Sequence, residues 1–88
     1  MKGGVEGWSG RAETLRRLRW HCRRGLLELD VLLAQFARNG LQSLDDEELA
    51  QMESLLSKPD MDLLDWLEDR RSPPARFAAV ISKIRLSV

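Results

Sequence analysis

The sequence predicts an all-α protein, a small single-domain bundle of about five short helices. Apolar side chains recur at intervals of three and four residues in one segment after another, which places them on one face of a helix. Residues that favour helix starts and ends separate these segments. No segment alternates apolar and polar residues as a half-buried strand does. With 88 residues, the chain has room for one hydrophobic core.

The first helix is predicted to begin at Arg11 and to end near Gly25. Residues 1–10 are glycine-rich, so we expect a flexible tail there, with a mobile Trp8, ahead of a helical domain over residues 11–88. The pair Asn39–Gly40 predicts the end of the second helix. Two sets of apolar residues at helical spacing define the faces of these helices: Leu15, Leu18 and Cys22, then Leu29, Leu32, Leu33 and Phe36.

Three further helices are predicted from their start signals. Ser43 is the expected N-cap of the third helix, because four carboxylates over residues 45–48 follow it and favour the positive end of the helix dipole. Asp60 is the expected cap of the fourth helix, and Ser72–Pro73 the start of the fifth. The three apolar faces are Leu49, Met52, Leu55 and Leu56; Leu63, Leu64 and Leu67, with Trp66 beside them; and Phe77, Val80, Ile81 and Ile84.

Charge is balanced overall but divided along the chain. Residues 1–26 carry seven basic groups and two acids, residues 27–69 carry twelve acids and two bases, and residues 70–88 carry five bases. Terminal helices that pack beside an acidic middle would neutralise these charges within the fold, which is the arrangement we expect. The alternative is two surfaces of opposite sign that face a partner.

Several classes of protein do not fit the composition. Cys22 is the only cysteine, so no disulfide framework or cysteine-rich zinc site is expected. His21 and Cys22 are adjacent and would point about 100° apart on a helix, which disfavours a shared metal. No apolar segment approaches the ~20 residues that span a bilayer, and the N-terminus lacks the apolar region of a secretory signal. We expect a cytoplasmic bacterial protein without membrane insertion.

The most informative segment covers residues 20–30 and reads W-H-C-R-R-G-L-L-E-L-D. Gly25 lowers helix stability by roughly 0.5–1 kcal/mol relative to alanine, so it indicates a backbone angle closed to other residues or the close approach of another molecule. Arg24 and Glu28 lie four residues apart, within reach of each other if the segment is helical. Spacing alone favours a tight turn between two helices, stabilised by local ion pairs.

This segment resembles the signature of the small bacterial succinate dehydrogenase assembly factors, which share the motif R-G-x-x-E-x-D with mitochondrial relatives. Arg24, Gly25, Glu28 and Asp30 match the motif, and Trp20 matches a residue that flanks it. Later segments over residues 43–48 and 59–67 also resemble the family, so the likeness covers residues ~15–84. Lys58 departs from the pattern, because an acid often stands at this place.

The resemblance implies a chaperone, not an enzyme, that binds the flavoprotein subunit of succinate dehydrogenase and promotes covalent FAD attachment there. The flavoprotein subunit of fumarate reductase is a second candidate client. The implied client-binding residues are Trp20, Arg23, Arg24, Gly25, Glu28 and Asp30. Asp30 could equally brace Arg23 or Arg24, or cap the second helix. We expect a monomer that stably binds no cofactor, metal or nucleic acid and acts on FAD only in its partner.

Two other functions remain open at this point. Six arginines at positions 11, 16, 17, 19, 23 and 24 could bind a phosphate backbone, although the acidic middle of the chain would repel DNA. Some proteins similar to this family have been labelled antitoxins, which predicts a protein-binding regulator with a different partner.

Overall fold

Five α-helices and two single-turn 3-10 segments form the structure, a computed structural model that describes the backbone of residues 2–87 and the side chains of residues 10–87. The α-helices are α1 (Lys2–His21), α2 (Leu27–Asn39), α3 (Asp46–Leu56), α4 (Asp60–Leu67) and α5 (Ala78–Leu86). The 3-10 segments are Leu41–Ser43 and Ala75–Phe77. The described backbone contains no β-strand, and the predicted all-α bundle is confirmed.

The predicted apolar faces meet in one core. Nearly all of their residues are buried, while Leu15 and Leu32 lie half-buried at its edge. Trp66 and Phe77 pack with ring centroids 6.0 Å apart and so join α4 to the segment before α5. The connection between α2 and α3 adds two buried core residues that the helical spacing did not identify, Leu41 and Leu44.

The helix α1 begins earlier than predicted. Its backbone is helical from Lys2, whereas the glycine content led us to expect the helix from Arg11 onwards. A helix that has nucleated adds one hydrogen bond for each further residue, so it can extend through residues of low helix propensity. The flexibility of residues 1–10 stays a prediction. The side chain of Trp8 lies outside the described residues.

The start of α3 differs from the prediction by two residues. Asp45, not Ser43, is the N-cap: its carboxylate accepts the backbone N–H of Glu48 at 2.8 Å, and the Glu48 carboxylate accepts the backbone N–H of Asp45 at 3.0 Å. This reciprocal capping box satisfies two backbone donors at once, which a single serine hydroxyl cannot do. The Ser43 hydroxyl instead donates to the carbonyl of Gly40.

The starts of α4 and α5 also differ from the prediction. Pro59 occupies the N-cap position of α4, and Asp60 is its first helical residue. The fifth helix begins at Ala78, because Pro74 follows Pro73 directly and a proline disfavours helical geometry in the residue before it. A single 3-10 turn bridges the gap. The apolar face predicted for the fifth helix is nevertheless buried as expected.

The end of α2 is confirmed at Asn39, with Gly40 as C-cap. Gly40 has φ −123°, so its backbone is not left-handed. A Cβ atom at this position would lie 2.6 Å from Cε1 of Phe36, a buried core residue. Close packing against the aromatic ring therefore accounts for the glycine.

Opposite charges pair between helices, as the division of charge along the chain predicted. Arg11 and Arg17 on α1 pair with Asp46 and Glu53 on α3, the first pair at 3.2 Å. Glu48 on α3 pairs with Lys83 on α5 at 2.6 Å. These pairs are mostly exposed and each contributes little to stability, but they show that much of the charge is neutralised within the fold. Across the described residues, no helix has the length and apolarity needed to cross a membrane.

Candidate functional site

The candidate site is the corner between α1 and α2, over residues 22–26. The helix α1 ends at His21 and α2 begins at Leu27, so residues 22–26 form the connection between the two helices. Gly25 has φ +85°, a left-handed angle that L-residues with a side chain rarely adopt. A Cβ atom at Gly25 would have no heavy atom within 4 Å. The backbone angle therefore requires glycine, while the space in front of Gly25 is open.

Asp30 fixes the shape of this corner from the first turn of α2. Its carboxylate accepts the backbone N–H of Arg24 at 2.7 Å and that of Gly25 at 3.2 Å. Hydrogen bonds to a charged acceptor are stronger than neutral ones. Of the roles left open for Asp30, the structure supports one: Asp30 braces Arg24, and it does so by accepting the Arg24 backbone N–H rather than by pairing with the guanidinium. The Asp30 side chain is half-buried.

The Arg24 side chain points inward and binds the turn between α3 and α4. Its Nε donates to the Asp60 carboxylate at 2.8 Å, within a salt bridge. One terminal nitrogen donates to the carbonyls of Leu56 at 2.7 Å and His21 at 3.2 Å, and the other donates to the carbonyl of Lys58 at 3.0 Å. Only 15% of the side chain is exposed. Arg24 thus attaches the corner to the end of α3 and the start of α4.

The predicted ion pair between Arg24 and Glu28 is absent. Residues 22–26 are not helical, so the four-residue spacing does not bring the two side chains together, and Arg24 pairs with Asp60 instead. Glu28 lies exposed in the first turn of α2. Its carboxylate has no hydrogen bond or salt bridge to any other residue in the described part of the chain. It is therefore available to a partner.

Trp20 and Arg23 form the α1 side of the corner. Trp20 is 67% exposed, and the Arg23 guanidinium lies 5.7 Å from the centroid of its indole ring. This cation–π contact holds two large side chains on the surface beside Gly25. Exposed tryptophan and arginine are the residue types that contribute most to protein–protein interfaces.

Two exposed apolar residues near Glu28 were not predicted as site residues. Leu27 is 77% exposed and Val31 is 50% exposed, and their i, i+4 spacing places them on one face of α2. The sequence contained a signal for them, since both fall outside the apolar face that begins at Leu29. Asp60, which binds Arg24, was also not predicted as part of the site.

The chemistry of the corner favours recognition over catalysis. Burial raises the pKa of the Cys22 thiol to about 11, so the thiol is protonated and a poor nucleophile at neutral pH. Within the described residues, no three His, Cys, Asp or Glu side chains are grouped so that they could hold a metal ion. A rigid corner with an exposed carboxylate and exposed apolar side chains can instead bind another protein.

Fold and corner together define a small helical protein-interaction module. A family model described as "Flavinator of succinate dehydrogenase" matches residues 16–88, which include all five helices in whole or in part. The chain therefore belongs to this family, and the resemblance drawn from residues 20–30 is confirmed.

Individual relatives agree with the family match. The FAD assembly factor SdhE of Legionella pneumophila (strain Paris) is 39% identical over 69 residues, which cover 78% of this chain and 87% of that protein. The protein of the same name from Coxiella burnetii is 41% identical over 71 residues, covering 80% and 87%. The mitochondrial succinate dehydrogenase assembly factor 2 of Cryptococcus neoformans is 46% identical over 67 residues, covering 74% of this chain but 38% of its own length.

Proposed function

We propose that this chain is an assembly factor that promotes covalent attachment of FAD to the flavoprotein subunit of succinate dehydrogenase. The observation that carries the proposal is the match of residues 16–88 to the family of succinate dehydrogenase flavinators. Relatives that are similar over most of their length and are named FAD assembly factors support it. The protein would act on FAD attachment in its client and bind no cofactor stably itself.

We assign the six predicted site residues to two roles. Gly25, Glu28, Trp20 and Arg23 lie at the surface and would contact the client, because their exposed groups are free to do so. The remaining two, Arg24 and Asp30, use their polar atoms inside the molecule and would position the corner. Gly25 would allow the backbone of the client to approach closely, since the space in front of it is open.

The proposed mechanism is orientation rather than acid–base catalysis. The client flavoprotein would perform the attachment with its own histidine and the flavin 8α-methyl carbon. Binding of this chain would hold the client in a conformation that aligns the two, which can lower a barrier without a reacting group from the chaperone. The protonated state of the Cys22 thiol, which burial favours, supports such a role.

Three further parts of the proposal follow from the same family likeness. The flavoprotein subunit of fumarate reductase is a second candidate client. The chain would act as a monomer in the bacterial cytoplasm. Nucleic-acid binding is less well supported, because three of the six arginines that suggested it are neutralised by carboxylates, namely Arg11 by Asp46, Arg17 by Glu53 and Arg24 by Asp60.

Covalent flavin on the client tests this function directly. In cells that lack this gene, flavin fluorescence of the succinate dehydrogenase flavoprotein subunit in a denaturing gel should be lost. Restoring the wild-type gene should restore the signal, whereas Glu28→Ala should not. Because Glu28 is exposed and has no described partner within the chain, the variant should fold normally, with a change in unfolding free energy within about 0.5 kcal/mol.

The matched control is Glu47→Ala, which removes another exposed carboxylate from the first turn of a helix, here α3. This variant should support flavinylation as the wild type does. Unchanged flavin fluorescence in the deletion strain would contradict the proposed function. If deletion of the gene abolishes flavinylation but Glu28→Ala restores it fully, the proposed function stands, and only the assigned contact between Glu28 and the client is contradicted.

A further inference from the structure

A groove separates the end of α1 from α2 and opens beside the corner. Its volume is about 580 Å³, which is within the range of pockets that hold small organic ligands and is enough for several side chains. The floor is apolar and small, formed by Cys22, Ala34 and Ala37. Gly25 and Asp30 line the end of the groove that adjoins the corner, so the two surfaces are continuous.

Three arginines surround this floor: Arg19 and Arg23 on the α1 side and Arg38 on the α2 side. All three are exposed, and none has a carboxylate within salt-bridge distance among the described residues. Most other arginines of the described chain are neutralised by acids: Arg11, Arg17, Arg24, Arg70, Arg71 and Arg85. Unpaired positive charge is thus concentrated around the groove.

The one acidic residue in the groove offsets only part of this charge, because Asp30 carries one negative charge against three arginines. Both Asp30 oxygens accept backbone N–H groups of the corner. Ala34 and Ala37 lie three residues apart on one face of α2, and their small side chains leave the floor of the groove open. The groove therefore combines an apolar floor with a cationic rim.

We infer that the α1–α2 groove binds an acidic segment of the client flavoprotein, with an apolar side chain on the floor and carboxylates against Arg19, Arg23 and Arg38. This inference rests on the proposed function for the identity of the client, and it adds a second contact surface to the corner. Charge complementarity selects carboxylates as the flanking groups, because guanidinium groups bind them in bidentate geometry. An apolar side chain, rather than a free anion, fits a floor without polar side chains.

The affinity of the full chain for the purified, FAD-free flavoprotein subunit tests the groove. Arg38 is chosen because it lies farthest along α2 from the corner among the lining residues, so its replacement leaves Gly25 and Glu28 in place. Arg38→Glu should weaken binding by about tenfold at low ionic strength and by less at high ionic strength, because salt screens exposed charge pairs. Ala34→Leu should also weaken binding by about tenfold, since it fills the floor.

Matched controls come from other helices and segments. Arg76→Glu reverses another exposed arginine that has no described carboxylate partner, and Ala79→Leu enlarges an exposed alanine on α5. Both should bind within about twofold of the wild type, as surface changes away from an interface do. Circular dichroism melts of all four variants establish that each is folded at the temperature of the binding experiment.

The nature of the bound segment is tested by coupling. Arg38→Lys keeps the charge and introduces an amine, which a carbodiimide can join to a client carboxylate as an amide. A new cross-link that maps to an Asp or Glu next to an apolar residue of the client is the expected result. Wild-type affinity for both Arg38→Glu and Ala34→Leu, or the absence of a cross-link while Arg38→Lys binds, would overturn the inference. Failure of the wild-type chain itself to bind the subunit would instead contradict the proposed function.

Discussion

Replacing Arg24 with alanine is expected to destabilise the fold, because its guanidinium forms a salt bridge with Asp60 and donates hydrogen bonds to three backbone carbonyls. Four groups lose a donor in the Arg24→Ala variant: the Asp60 carboxylate and the carbonyls of His21, Leu56 and Lys58. The carbonyl of Leu56 belongs to the last residue of α3, where carbonyls have no partner within the helix. The variant therefore leaves a helix end and a carboxylate unsatisfied at the same turn.

The magnitude follows from the burial of the two charged partners. A hydrogen bond to a charged group is worth ~1.5–3 kcal/mol, and breaking a buried ion pair costs ~3–5 kcal/mol. Arg24 is 15% exposed but Asp60 is 38% exposed, so solvent screens part of the loss. We expect a decrease in unfolding free energy of about 2–4 kcal/mol. For a domain of this size, that decrease corresponds to a fall in Tm of about 8–32 °C.

Thermal melts and urea titrations of the purified chain measure this decrease. Arg23→Ala is the matched control: it removes the neighbouring arginine, which is exposed and lies over the Trp20 ring, and it should shift the unfolding free energy by less than about 0.5 kcal/mol. Equal stability of Arg24→Ala and Arg23→Ala would refute the internal role of Arg24. It would indicate that its side chain leaves the α3–α4 turn in solution and is free to contact a client.

Two further predictions concern the neighbours of Arg24. Gly25→Ala should lower the unfolding free energy by about 1–2 kcal/mol, because Gly25 has a positive φ. Gly25→Arg should lower it by a similar amount without unfolding the protein, since the space in front of Gly25 is open, and should abolish flavinylation. A circular dichroism spectrum of an unfolded Gly25→Arg chain would contradict this prediction. Burial raises the pKa of Cys22 from 9.0 to about 11, so the folded state retains a proton that the unfolded state loses between these values. Stability should therefore fall as pH rises through this window. Urea titrations of the wild type should show this fall, and those of Cys22→Ala should show less of it; identical pH dependence would contradict the raised pKa.

Helix faces could be predicted from the sequence because the core uses a strict helical spacing. Two apolar faces were identified from spacing alone and are buried: Leu49, Met52, Leu55 and Leu56, then Phe77, Val80, Ile81 and Ile84. The exact starts were not. For α3, Asp45 prevailed over Ser43 through a reciprocal bond with Glu48, and the D-x-x-E spacing of these two residues is the sequence signature of a capping box. For α5, two adjacent prolines delay the start to Ala78.

The site could be located from the sequence, but the roles of its residues could not. Residues 20–30 indicated the corner, since glycine there required a special backbone angle, and Gly25 has one. The partner of Arg24 lies 36 positions away at Asp60, so no local spacing could identify it. The local alternative, an ion pair with Glu28, assumed a helix that the glycine itself interrupts. Leu27 and Val31 could have been found as apolar residues off the buried face.

The motif R-G-x-x-E-x-D thus divides into residues that shape the corner and residues that the corner presents. Arg24 and Asp30 bond to the chain itself, whereas Gly25 and Glu28 face outward. This division predicts different temperature dependence for loss of function. Flavinylation with Arg24→Ala should recover when cells grow at low temperature, because a destabilised fold is then more fully populated. Loss caused by Glu28→Ala should persist at every temperature, since the fold is intact and the contact is missing. Recovery of both variants on cooling, or of neither, would contradict the division.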